Sequence, residues 1–255
     1  MCLIAFAYQT HPDFPIIIIA NRDEFYERPT EAVHFWDDSP NILAGRDLRM
    51  NGSWLGVSKT GRFAAITNYR DPNRPETGHL SRGAIVKSFL NTEQTSADFV
   101  EELRGNKDLY VGFNVLLYDG EQMQHYNNVL DEHTVVLPGV HSVSNATLNS
   151  PWPKVTFAAK VLQQAVDDET IETNQLISLL ANDATAPDDS LPDTGVGIYL
   201  ERALSAAFVK LANYGTRCST AITINKNGHI HLQERTYEQG EFAFDKLFEI
   251  NNVPY

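Results

Sequence analysis

The sequence predicts an α+β fold, with strands at both ends of the chain and helices concentrated between them. Two short runs, Cys2–Tyr8 and residues 14–20, are rich in β-branched and aromatic residues and are joined across a polar turn at His11-Pro12-Asp13. Turns centred on glycine recur between short apolar runs in both halves, the pattern of antiparallel hairpins. In the middle of the chain the apolar residues instead recur at helical spacing.

In order, Ile16-Ile17-Ile18-Ile19 is continuously apolar. That suits a strand buried on both faces, because a one-sided strand would alternate. Residues 54–58 and 62–67 flank Lys59-Thr60-Gly61 and predict a hairpin. Residues 112–118 and 122–126 predict another, turning at Asp119-Gly120. Residues 80–90 place Leu80, Ala84, Ile85, Phe89 and Leu90 near helical spacing. A short helix is expected from Ser96 through Leu103, closed by Gly105. The clearest helix spans 153–166, with Pro153 at its start and Val155, Ala158, Leu162 and Ala165 on one face. Further helices are expected over 170–180 and 198–210, separated by a Pro/Asp-rich loop at 184–193. Strands return at 220–224 and 229–234, a hairpin turning at Asn225-Lys226-Asn227-Gly228, and at 241–248. The loop at 184–193 is the one candidate linker and is short, so residues 1–255 are expected to form a single domain.

Charge excludes one large class of function. Against 33 Asp+Glu stand 20 Lys+Arg, a net −13. A nucleic-acid partner needs the opposite balance to displace counterions from phosphate, so none is expected. Two cysteines, Cys2 and Cys218, cannot make a disulfide framework or a four-thiolate zinc site. No metal and no cofactor is expected. Neither N-terminal apolar run reaches the roughly 20 residues of a membrane span, and no basic n-region with a cleavage site precedes them. The protein is expected to have no membrane span and to be cytoplasmic.

Two readings compete at Cys2. It can be a small packed residue that starts a buried strand. Alternatively, removal of Met1 would give Cys2 both a thiol and a free α-amine. The amine, with a pKa near ~8, would serve as the thiol's own general base. The polar run Asn21-Arg22-Asp23-Glu24 follows the second strand directly. If the first two strands form a hairpin, the end of the second lies beside the start of the first, so Arg22 and Asp23 fall close to Cys2. A solvated turn is the plain alternative for that run, and an Asx-turn for Asn68 and Asn145.

A resemblance adds to this. Met1-Cys2, Asn21-Arg22-Asp23-Glu24, Gly45-Arg46-Asp47, Trp54-Leu55-Gly56-Val57 and Thr67-Asn68-Tyr69-Arg70 together resemble the NRDE family, that of the transport and Golgi organisation protein 2. Ser144-Asn145-Ala146, Pro151-Trp152-Pro153-Lys154-Val155 and Gly215-Thr216-Arg217 extend the resemblance over nearly the whole chain. That family is similar to the N-terminal nucleophile hydrolases of the penicillin V acylase and bile salt hydrolase group. The resemblance implies a four-layer α/β/β/α sandwich of two antiparallel sheets. It also implies Cys2 as nucleophile, Arg22 beside the thiol, Asp23 on the α-amine, Asn68 and Asn145 as oxyanion donors, and Arg217 as a later active-site arginine. The acylases place two residues between their early Arg and Asp, whereas Arg22 and Asp23 are adjacent. Which of Arg22, Asp23 and Glu24 takes which role therefore stays open.

The function expected is an N-terminal cysteine hydrolase acting on a C–N amide or thioester bond of a small acylated substrate. The alternative is a binding or trafficking protein for haem or for lipid and acyl-CoA metabolites on the same scaffold. The arginines Arg46, Arg49, Arg62, Arg70, Arg74 and Arg82 are read as mostly solvated, with an anionic substrate as their alternative use.

Overall fold

The computed structural model describes residues 2–73 and 78–251. In chain order the strands are β1 Cys2–Tyr8, β2 Ile16–Phe25, β3 Thr30–Trp36, β4 Ser39–Asp47, β5 Leu55–Ser58, β6 Phe63–Asn68, β7 Phe113–Tyr118, β8 Met123–Asn127, β9 Glu132–Val135, β10 Gly139–Val143, β11 Tyr214–Ile224, β12 Ile230–Glu238 and β13 Glu241–Ile250. The helices are α1 Arg82–Asn91, α2 Ser96–Gly105, α3 Pro153–Asp167, α4 Thr173–Leu176 and α5 Ile198–Ala203. The α+β class follows, with two antiparallel sheets. The chain divides into two compact units.

The first unit takes the described residues up to Glu27, Arg70–Asn73, and those from Pro138 onward. Its sheet runs β10-β1-β2-β11-β12-β13. Ile16, Ile17, Ile18 and Ile19 are at most 1% exposed, which is why the run shows no alternation. Ile17 and Ile19 join Leu3, Ala5 and Ala7 in packing against Val155, Ala158 and Leu162 of α3. Pro153 sits in the first turn of α3, where its missing N–H would have no helical partner anyway.

The second unit takes Arg28–Tyr69 and the described part of 74–137. Its sheet keeps sequence order, β3 through β9. Ile85, Val86, Phe89 and Leu90 of α1 and Phe99, Val100 and Leu103 of α2 cover one face, over Ala64, Ile66, Val115 and Leu117. Gly45 has a steric reason: a Cβ there would strike the Trp54 ring.

The elements differ from expectation in three places. Asn21-Arg22-Asp23-Glu24 does not follow β2 but lies inside it, because β1 and β11 pair with β2 on either side as far as Arg22 and Phe25 respectively. The helices expected over 170–180 and 198–210 shrink to the single turn of α4 and the six residues of α5. Residues 204–209 are buried without interruption, so no amphipathic face exists there. Their backbone also finds other partners: Phe208 N donates to Asn182 O, and Val209 O accepts from Thr216 N. The strands β3, β4, β9 and β10 were not expected, since their sequences are polar and mixed.

A buried polar row crosses the second sheet. His125 is fully buried, with Nε2 at 3.1 Å from Asn114 Oδ1, and Nδ1 has no hydrogen-bond partner among the described residues. Burial pulls its pKa down to about 4. The unfolded chain therefore accepts a proton, in the range between about 6.5 and about 4, that the folded protein refuses. Stability is expected to fall as pH drops through that window, by roughly 3 kcal/mol in all. Acid titrations of the wild type and His125→Gln check this; equal slopes over that window would refute it.

Candidate active site

Strand pairing builds the site from the backbone outward. Cys2 of β1 is the Cα partner of Arg22 of β2, and Arg22 is also the partner of Cys218 of β11. The β1–β10 register sets Ile4 opposite Val143, and Ser144 and Asn145 follow directly on the end of β10. Successive side chains alternate between faces, while opposed residues share one. Leu3, Ile17 and Ile19 face α3. Cys2 and Arg22 therefore lie on the opposite face, and Asn21 and Asp23 on the helix-covered one.

The four polar residues of β2 thus have different surroundings. Asn21 Nδ2 donates to Leu180 O at 3.0 Å and Ala207 O at 2.8 Å, and its Oδ1 accepts from Ser219 Oγ at 2.6 Å. It holds the fold. Arg22 is buried beside the Cys2 position. Asp23 is buried behind it, its Oδ1 accepting from Thr216 Oγ1 at 2.8 Å and its carbonyl oxygen from the Tyr214 hydroxyl at 2.9 Å. Glu24 is partly exposed, and its Oε1 accepts from Phe25 N.

Arg217 is the extra residue of a β-bulge, since the β11–β2 register shifts between Thr216 and Cys218. Its Nη1 donates to Phe25 O at 2.8 Å. Burial first, and then the like charge of Arg22, pull it below the usual arginine range. Gly215 before it admits no side chain, because a Cβ would strike the Tyr26 hydroxyl and Val209 O. Asn145 is fully buried. Ser144 Oγ lies 2.8 Å from Cys2 O and 3.1 Å from Asn145 Oδ1, one proton between two acceptors. Arg70 N donates to Asn145 O at 2.8 Å. Asn68 is the last residue of β6, in the second unit.

Electrostatics ties the first unit's residues together. Burial is the main cause that pushes the Cys2 thiol up; Asp23 adds to it and Arg22 opposes it. Burial also pushes the Asp23 carboxyl up, against the pull of Lys154. Cys218 is raised well above the usual thiol range, again by burial, which leaves it an inert packed thiol.

Three participants were not singled out from the sequence. Arg70 Nη1 pairs with Glu201 Oε2 at 2.8 Å, with side chains only 7% and 3% exposed, and its guanidinium lies 5.0 Å over the Trp152 ring. Glu201 Oε1 further accepts from Thr194 N and Oγ1 at 2.7 and 2.6 Å. Lys154, in the first turn of α3, is 3% exposed. Lys154 had a sequence signal: it continues the Ala158–Leu162 stripe one turn back, a charge at a core position. Arg70 had a weaker one, its place in the Thr67-Asn68-Tyr69-Arg70 motif and in the arginine stretch with its anionic-substrate alternative, and Glu201 had none. The solvated reading of the arginines is corrected for Arg62 and Arg70. Arg62 is buried over the Phe89 ring and donates to Phe89 O and Gln94 O. Arg46 pairs with Asp38, and Arg74 lies outside the described residues. Among the described residues no group of three or more His, Cys, Asp or Glu is placed to hold a metal, and no helix is long and apolar enough to cross a membrane.

The Transport and Golgi organisation 2 family matches residues 1–239. The chain belongs to that family. Its relatives include the mouse Transport and Golgi organization 2 homolog, 34% identical over 258 residues that cover 92% of this chain and 93% of the mouse protein. The human homolog is likewise 34% identical with the same coverage. Among solved structures, the C2A mutant of the conjugated bile acid hydrolase from Clostridium perfringens superposes with a TM-score of 0.55 at 9% identity, covering 98% of this chain and 93% of that one. This family member therefore has an N-terminal nucleophile hydrolase-like fold.

Proposed function

We propose that the protein is an N-terminal cysteine hydrolase that cleaves an amide or thioester bond of a small acylated substrate once Met1 is removed. One observation carries the reading: Cys2 heads β1 directly opposite buried Arg22, with buried Asp23 on the next position of the same strand. Met1 itself lies outside the described residues.

The chemistry follows from the raised thiol. A thiol pushed above its ordinary value stays protonated at neutral pH, so attack needs a base. The freed α-amine of Cys2 supplies it, because an amine can take the thiol proton and an amide nitrogen cannot. Sulfur then bonds to the substrate carbonyl carbon as the C=O π pair moves onto oxygen. The Asn145 amide is oriented by Ser144 and by Arg70, whose Nη2 is 3.5 Å from Oδ1; its NH₂ end is assigned to that oxyanion. A preorganised donor of this kind contributes about 3 kcal/mol. Collapse breaks the bond to the leaving nitrogen or sulfur, which takes the proton back from the α-amine, and water then releases the acyl group from Cys2. Arg217 feels the like charge of Arg22, and an anionic substituent of the substrate is assigned to these two arginines.

Intact mass of active protein is expected to lack Met1. Cys2→Ala is expected to lose all measurable turnover on acyl amides and thioesters while keeping its melting temperature. Activity from protein that retains Met1 would overturn the reading. A second reading, a carrier of haem or lipid metabolites on the same scaffold, draws on relatives named for transport. It requires a ligand-dependent absorbance or melting shift that survives in Cys2→Ala.

A further inference from the structure

Lys154 occupies a place where a lysine has every reason not to be. Its ammonium is buried, and Nζ has no hydrogen-bond partner among the described residues. A buried ammonium without partners is strongly disfavoured. It also sits in the first turn of a 15-residue helix, where the exposed N–H groups already present positive potential and repel a cation. A methionine would continue the Ala158–Leu162 stripe without any of these penalties. Something in the surroundings must compensate.

The charged groups facing Lys154 are Asp23 from β2, Cys2 from β1, Arg70, and Glu201 from α5. Arg70 repels it. Glu201 is already committed to Arg70 and to Thr194. Asp23 is the strongest of these, and the dependence runs both ways: after burial itself, Lys154 is the largest influence on Asp23, and Asp23 the largest on Lys154. Both side chains lie on the α3-covered face of the sheet, the face opposite Arg22. Arg22 is the weaker counter-charge for Asp23, as its placement across the sheet requires.

We propose that Lys154 is the counter-charge that keeps Asp23 ionised beneath α3, and that through Asp23 it positions the amino terminus of Cys2. The second clause rests on the nucleophile reading above; the first does not. Without Lys154, burial favours the neutral form of the Asp23 carboxyl, and a neutral carboxyl donates its O–H to an amine lone pair, the pair needed to take the thiol proton, where the carboxylate would accept from the amine N–H. Lys154 is a positioning residue, since it acts through Asp23.

Infrared spectra at neutral pH test the first clause directly. Lys154→Met is expected to show a protonated-carboxyl band that the wild type lacks. That band is expected to vanish in the Asp23→Asn/Lys154→Met double variant and to be absent in Lys154→Arg, which restores the charge. A folded Lys154→Met with no such band overturns the proposal. Should Lys154→Met fail to fold, recovery of folding in the double variant supports the pairing, and failure of both overturns it. For the second clause, Lys154→Met is expected to lose kcat with KM little changed, and Lys154→Arg to regain it; unchanged kcat refutes that clause. Cys2→Ala separates the two ideas: if it still turns over substrate the nucleophile reading fails, while the carboxyl band of Lys154→Met is unaffected.

Discussion

Glu201→Gln is expected to lower the unfolding free energy by about 3–5 kcal/mol, the usual consequence of removing one partner from a buried ion pair. Arg70 and Glu201 are 2.8 Å apart and almost wholly shielded from water. Glutamine keeps the shape and a hydrogen-bonding oxygen for Thr194, so the loss isolates the charge. Arg70 would then be a buried cation facing Lys154 with less to balance it. Replacing both partners with apolar residues, Arg70→Met with Glu201→Leu, is expected to recover much of the loss, because two desolvated charges disappear together. Urea denaturation of the single and double variants measures both. A loss in Glu201→Gln below about 1 kcal/mol, the scale of an exposed pair, would show that water reaches these groups in solution.

Asn21→Ala is the second large effect. Its amide satisfies two backbone carbonyls and one hydroxyl from three separate segments, at Leu180, Ala207 and Ser219. Alanine strands the two carbonyls in the interior, at about 1–3 kcal/mol each, and leaves Ser219 Oγ only its longer contact to the Tyr237 hydroxyl, so a loss of about 3 kcal/mol is expected. Asn21→Asp is expected to be at least as damaging, since an acceptor would face two carbonyl oxygens. Alkylation of Cys2 in the folded fraction is expected to stay at the wild-type rate, because Asn21 faces away from the thiol. A changed alkylation rate with unchanged stability would reverse that assignment and make Asn21 part of the chemistry.

The contrast between these residues shows what the sequence made legible. Local patterns transferred well: the isoleucine run, the hairpins around Gly61 and Gly120, and the stripe of α3 all depend on neighbours in sequence. The opposition of Cys2 and Arg22 was also legible, because a short hairpin fixes its own register. The overlong helices were not, since a continuously buried stretch such as 204–209 can run as irregular chain when outside groups take its hydrogen bonds. Arg70 and Glu201 are 131 positions apart, and nothing in either neighbourhood marks them as partners. Lys154 carries a signal of its own in the sequence. A charge in the apolar stripe of a helix identifies itself once the stripe is extended by one turn. The role of Arg22 against Asp23, open from the motif alone, turns on strand alternation, which became available only when Asn21-Arg22-Asp23-Glu24 proved to lie within β2.

That alternation limits how this gene can change. One residue gained or lost anywhere between Ile16 and Arg22 would exchange the two faces, sending the guanidinium under the helix and the carboxylate to the thiol's side. A change of length is therefore expected to be tolerated in the connecting turn at 9–15 and not within β2, whose residue count sets the site as much as the residues it carries.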